Sequence, residues 1–109
     1  WGTGSPKREF IFVDDIVDAS LVILNAPLST DILPINIGVG YDISIKLLAE
    51  KISRMVGYSG IIKWDKSKPD GSPRKLLDNN RIELIGWKSK TSLDKGLELT
   101  YQWYLNNID

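Results

Sequence analysis

Arg8-Glu-Phe-Ile-Phe-Val13, followed at once by Asp14-Asp15, is the stretch on which the fold turns. It is short, rich in β-branched and aromatic residues, and closed by two carboxylates able to cap a helix, so it predicts a strand running directly into a helix. Ile16, Val17, Leu21, Val22, Ile23 and Leu24 then lie around most of that helix instead of along one stripe, as where both sides are covered by protein. Asn25 and Pro27 end it. After a Ser/Thr/Asp linker, Ile35-Asn-Ile-Gly38 predicts a second strand, Gly38 and Gly40 loosen its exit, and Asp42 or Ser44 caps a second helix. Ile45, Leu48, Ile52, Met55 and Val56 recur at helical spacing until Gly57, which is placed to stop the helix in a left-handed conformation.

Ile61-Ile-Lys-Trp64 predicts a third short strand. Asp78 is expected to cap a brief helix ending at Gly86. A last helix starts at Thr91-Ser-Leu-Asp94, a capping-box-like pattern, and is expected to bury Leu93, Leu97, Thr100 and Tyr104. Trp64, Trp87, Trp103 and Tyr104 are assigned to packing, given the area that aromatics bury. Asp14 and Asp15 are read as caps favoured by the helix dipole and its open amides. Strands alternating with helices make the chain α/β, with a sheet that is incomplete without another piece.

The 109 residues carry 14 basic and 14 acidic side chains, a formal net charge of zero. That length allows one domain with a modest core, and the balance argues against duplex DNA or an anionic membrane as partner. Neither cysteine nor histidine occurs, which removes disulfides, thiolate metal sites and the commonest metal ligand and general base. The apolar run from Ile16 to Leu24 is interrupted by Asp18 and is too short and too charged to span a bilayer. The chain opens Trp-Gly-Thr-Gly-Ser-Pro, without a basic segment leading into an apolar one, and its one methionine is Met55. It reads as a piece of a longer protein.

Lys66-Ser-Lys-Pro-Asp-Gly-Ser-Pro-Arg-Lys75 sets four cations around a tight Pro-Asp-Gly turn. Arginine offers a flat fork of donors to phosphate oxygens and lysine a compact charge, while Pro69 fixes its own φ and Gly71 permits a positive one. A diphosphate site is one reading. A solvated surface turn is the other, since turn chemistry accounts for the prolines and the glycine without a ligand.

Trp1-Gly-Thr-Gly-Ser-Pro-Lys-Arg-Glu-Phe10, Val13-Asp-Asp15, Ile35-Asn-Ile-Gly38 and Lys68-Pro-Asp-Gly-Ser-Pro-Arg-Lys-Leu-Leu-Asp78 together resemble the C-terminal part of the GDP-L-fucose synthases. These belong to the extended short-chain dehydrogenase/reductase family. The similarity runs to Tyr101-Gln-Trp-Tyr104, and the block from Lys68 to Lys75 carries more specificity than Arg-Glu-Phe or Val-Asp-Asp, which many relatives share. The resemblance implies a GDP-sugar substrate: the family epimerises two carbons beside the ketone of GDP-4-keto-6-deoxy-D-mannose and reduces that ketone with NADPH, giving GDP-L-fucose. It also implies a cytoplasmic, homodimeric full-length enzyme. The family's NAD(P)-binding, Rossmann-like N-terminal domain supplies the glycine-rich loop, the serine, tyrosine and lysine beside the ketone, and cysteine and histidine acid-base groups. None of them is in this sequence. Gly38-Val-Gly40-Tyr41 lacks the third glycine and the following ribose-binding acid of a dinucleotide fingerprint. Residues 1–109 are therefore expected to be a single C-terminal substrate-binding fragment, catalytically silent alone and binding neither NADPH nor metal.

Carried across position by position, the resemblance implicates Trp1, Arg8 and Asp70 as substrate contacts, with Lys75 and Arg74 close to the GDP moiety. Arg8 and Lys75 can neutralise a diphosphate, Trp1 can offer an aromatic face or its indole donor, and Asp70 can accept from a hydroxyl. A loose chain end at Trp1 and a self-closing turn at Asp70 are the structural alternatives. Phe12 departs from the family pattern, which has histidine or tyrosine there. Two other functions stay open: another nucleotide-sugar epimerase or reductase, and a nucleotide-, glycan- or single-strand-binding module without turnover.

Overall fold

Four helices and three two-residue strands make up the computed structural model, which describes residues 1–27 and 34–108. The Ser/Thr/Asp linker lies outside the described residues. Strand β1 is Lys7–Arg8, β2 is Ile43–Ser44 and β3 is Arg74–Lys75. They form one sheet in the order β2-β1-β3, with β1 antiparallel to β2 and parallel to β3. The register pairs Lys7 with Ser44 and Arg74, and Arg8 with Ile43 and Lys75.

Helix α1 spans Val13–Asn25, and its inward stripe is Asp15, Ala19, Val22 and Ile23, three to four residues apart as a helix face requires. Ala19 meets Ile82 of α3 (Asn80–Leu84) and Trp87 in the buried core, against which Ile11, Ile35, Ile37 and Ile85 pack. The other face of α1, with Val13, Val17, Leu21 and Leu24, is exposed. Of the two covered sides expected for this helix, the described residues supply one. Helix α2, Ile45–Met55, starts where expected: Ser44 Oγ accepts from the Leu47 amide at 3.2 Å. It stops at Gly57, whose φ of 70° lets Gly57 N reach Arg54 O and Tyr58 N reach Ser53 O in a Schellman motif. Helix α4 is Leu93–Asn107, capped by Ser92 Oγ on the Lys95 amide.

Several expectations are corrected. Glu9–Phe12, Ile35–Gly38 and Ile61–Trp64 are not strands: each lacks a hydrogen-bonded ladder partner, although Ile35 and Ile37 still turn their side chains to the core from alternate positions. Phe12, not an aspartate, occupies the cap position of α1 without a side-chain cap bond, and its ring lies on Gly96 of α4. Asp15 points inward to the 89–91 segment instead. Asp78 serves α3 from one residue before the cap, accepting from Asn80 N at 2.8 Å. The face of α4 is less buried than its sequence suggests. Leu93 and Leu97 are half-buried, Thr100 and Tyr104 are exposed, and Trp103 is 65% exposed. Trp87 alone of the assigned aromatics is fully buried, its indole donating to Asp18 Oδ2 at 3.0 Å, while Trp64 is half-buried with its ring against Gly4.

The radius of gyration is 16.9 Å, against about 13 Å for a typical compact domain of this size. A fully buried apolar core of Ala19, Ile82 and Trp87 is correspondingly small.

Candidate functional site

Alternation along a strand sends neighbouring side chains to opposite faces, while residues paired across strands share one. Lys7 and Arg74 are paired, and both meet Asp42, whose side chain is only 5% exposed: Lys7 Nζ is 4.0 Å from Oδ1, and Arg74 Nε pairs with Oδ2. Arg8 and Lys75 form the next pair and share the other face. Arg74 is thus committed to an internal ion pair, and the two cations paired away from Asp42 are Arg8 and Lys75.

Arg8 runs along the loop before β3. Its Nη1 donates to Ser72 O at 2.8 Å and to Lys7 O at 2.6 Å, and Nη2 lies near the place where a Cβ on Gly71 would stand. The guanidinium has five N–H donors, so these bonds leave a fork available. A cleft of about 290 Å³ opens here, lined by Trp1, Pro6, Arg8, Ile45, Asp70 and Gly71 among others. Ligand pockets commonly begin near 300 Å³, so the cleft suits part of a nucleotide sugar better than all of it.

The walls are held by residues 1–6, which fold back on the cationic loop. Gly2 N donates to Asp65 O at 2.8 Å, and the Thr3 amide and hydroxyl donate to Asp70 Oδ1 and Oδ2 at 2.8 and 2.7 Å. Gly2 has φ 71°, and a Cβ there would lie 2.1 Å from Asp70 Oδ1, so this approach requires glycine. Lys46 N and Ile45 N donate to Gly4 O and Pro6 O, seating the same segment on the start of α2. Asp65 accepts from the Ser67 amide and hydroxyl, shaping the loop's first turn. Trp1 is 85% exposed, with Lys68 Nζ 5.7 Å from its ring centroid. The structure therefore brings Trp1, Arg8 and Asp70 to one cleft, sets Lys75 beside Arg8 in the sheet, and directs Arg74 elsewhere.

Asp70 does not close its own turn; it ties Thr3 across 67 residues of sequence. The Thr3 hydroxyl first, and then the Thr3 amide, hold its carboxyl below the ordinary value of 3.8. A depressed folded pKa means that the tie is complete above the ordinary value and is lost as pH falls through the lowered one. The Thr3 amide resonance should accordingly titrate at a pH below 3.8, and a midpoint at or above that value would contradict the tie.

Glu9 is the site residue that the sequence reading passed over. Its Oε1 accepts from Val39 N at 2.6 Å and Gly40 N at 2.7 Å, and its Oε2 from Leu77 N at 3.0 Å. Gly38 is buried against it, and a Cβ there would lie 2.5 Å from Oε1. The signal available was Gly38 itself, a glycine with no turn to make. The amides of Val39 and Gly40 are thereby occupied by a carboxylate, so the Gly38-Val39-Gly40 segment does not fit a dinucleotide phosphate. Among the described residues no helix is long and apolar enough to cross a membrane, and no cluster of acidic groups could hold a metal ion.

The profile of the NAD dependent epimerase/dehydratase family matches residues 1–38. A probable GDP-L-fucose synthase 1 of Oryza sativa subsp. japonica is 46% identical over 108 residues, 99% of this chain and 32% of that protein. The GDP-L-fucose synthase of Escherichia coli K12 is 44% identical over 116 residues, covering 100% of this chain and 36% of its own length. Among solved structures, a GDP-6-OMe-4-keto-L-xylo-heptose reductase from C. jejuni superimposes with a TM-score of 0.89 at 36% identity, over 99% of this chain and 33% of that one. The chain spans about a third of the length of the relatives it matches.

Proposed function

From a chain that belongs with the C-terminal part of the GDP-L-fucose synthases, within the extended short-chain dehydrogenase/reductase family, we propose that it is the GDP-sugar-binding portion of an NADPH-dependent epimerase and reductase that makes GDP-L-fucose from GDP-4-keto-6-deoxy-D-mannose. The observation that carries this reading is the pairing of Arg8 with Lys75 on one sheet face, beside a cleft that also holds Trp1 and Asp70. Two cations at that spacing neutralise a diphosphate, the fork of Arg8 taking two oxygens and the ammonium of Lys75 acting as a point charge. Trp1 supplies an aromatic wall at the mouth. Asp70 keeps the loop and the Thr3 segment together and retains lone pairs for a sugar or ribose hydroxyl.

Residues 1–109 act as one substrate-binding unit. On this reading the hydride comes from NADPH held elsewhere in the longer protein, which the occupation of the Val39 and Gly40 amides by Glu9 supports, and the chain alone turns over nothing. The apolar outer face of α1 and the exposed Trp103 of α4 support a fold completed by further protein. In the longer protein we expect a homodimer.

GDP-mannose, a stable GDP-sugar, tests the site through tryptophan emission. Titration should give a saturable change that is lost in Trp1→Phe and weakened several-fold in Arg8→Ala. Unaltered emission, or the same change in Trp1→Phe, contradicts the assignment. A second reading, a reductase for another GDP-sugar, is favoured by the 36% identity to a GDP-heptose reductase. The site residues named here serve the diphosphate and leave the sugar free to differ.

A further inference from the structure

The three strands of the sheet are two residues long, too short to fix their own register. Yet the diphosphate reading, on which this inference rests, needs Arg8 and Lys75 side by side. We propose that Glu9 is the positioning residue for that pair, a carboxylate that clamps the far end of β3 to β1 and so sets where the Lys75 ammonium stands. Glu9 follows Arg8 directly, and its Oε2 holds the amide of Leu77, two residues beyond Lys75. Its Oε1 holds Val39 N and Gly40 N, which anchors the carboxylate itself from the other side. Three chain segments therefore converge on one group. Gly38 leaves the space the carboxylate fills.

The clamp separates from the rest of the fold because other ties join the same segments. Asn36 Nδ2 donates to Asp78 O at 3.1 Å, and the Asp42 ion pairs hold β1 to β3 at Lys7 and Arg74. Loss of the Glu9 bond to Leu77 frees the end of β3 without unfolding the sheet. Glu9→Gln makes that cut selectively. Glutamine has one acceptor oxygen, and the orientation that satisfies two amides keeps it on Val39 and Gly40 and turns the NH₂ toward the Leu77 N–H, donor against donor. The side chain keeps its shape, and only one bond is lost.

The experiment is a GDP titration of this chain and of Glu9→Gln, Lys75→Ala and the double variant, followed by amide NMR, with hydrogen exchange measured at Val39, Gly40 and Leu77. Lys75→Ala and Glu9→Gln should each raise Kd about fivefold, and the double variant should stay near the single ones, because Glu9 acts through Lys75. Exchange at Leu77 should rise by roughly tenfold in Glu9→Gln while Val39 and Gly40 change little. A Kd unchanged by Glu9→Gln when Lys75→Ala raises it overturns the clamp and leaves the diphosphate reading standing. So does a double variant about 25-fold weaker, the product of independent effects. A Kd unchanged by Lys75→Ala overturns the diphosphate reading, and the proposed positioning role falls with it.

Discussion

Asp15→Ala is expected to destabilise the chain by about 3 kcal/mol, while Asp14→Ala, one position away, stays within about 0.5 kcal/mol of the parent. Asp15 is buried at the start of α1, and its carboxylate accepts four hydrogen bonds from a segment more than 70 residues on. Oδ2 takes the Ser89 hydroxyl at 2.6 Å and the Lys90 and Thr91 amides at 3.1 and 2.9 Å, and Oδ1 takes the Thr91 hydroxyl at 3.0 Å. These bonds fix the chain immediately before Ser92 caps α4. Removing the carboxylate leaves two main-chain amides without their acceptor, and such losses cost more than the bonds contribute net. Asp14 is exposed, so only a few tenths of dipole interaction are at stake. Burial pushes the Asp15 carboxyl up, but the hydrogen bonds from Ser89, Thr91 and Lys90 together outweigh it and hold the group below 3.8. Its stabilisation is therefore complete above 3.8 and fades as pH falls through the lowered value. Urea unfolding at neutral pH measures both variants, and equal midpoints for the two would contradict this account.

If the proposed function holds, Arg8→Ala in the longer protein should raise KM for the GDP-sugar by about ten- to a hundredfold and change kcat by less than about threefold. A charge-assisted bidentate contact is worth about 1.5–3 kcal/mol when shielded, and Arg8 is half-buried at the cleft wall. On the proposed reading, a diphosphate remote from the reacting carbons would be held alike in ground and transition states, which places the loss in KM. Part of the change could come from the lost bond to Ser72 O, and Arg8→Lys separates the two: it keeps a charge and gives up the fork. Steady-state kinetics of both variants provide the check. A fall in kcat with KM unaltered would remove Arg8 from the diphosphate.

The class of fold was legible because helix signals are local. Ser44, one of two cap candidates, caps α2, α4 starts within the Thr91–Asp94 pattern, and Gly57 and Gly86 terminate at positive φ, whereas the inward stripe through Asp15, Ala19 and Val22 was hidden by apolar residues on nearly every side of α1. Strands were not, because a ladder needs a partner that the pattern of one segment does not name. Glu9–Phe12 and Ile35–Gly38 have strand composition but no ladder partner, whereas Arg74–Lys75, a basic turn flank by composition, finds β1. The site divides the same way. The residue types for an anion were visible in the 66–75 loop, but only the register separates Arg74, bound to Asp42, from Lys75, paired with Arg8. Glu9 and Asp15 escaped because their partners lie in remote segments of the chain. A carboxylate beside an arginine or a helix start has a local explanation that hides the distant one.

The most direct measurement of the central claim is a GDP titration of the chain itself, followed residue by residue by amide NMR. The cleft is partial, so the dissociation constant should be on the order of a millimolar, and it should weaken further with salt. Shift changes concentrated at Arg8 and across residues 66–78, saturating together, are the predicted result. Saturating shifts that leave Arg8 and residues 66–78 untouched, or no shifts at all at 10 times that concentration, would contradict it.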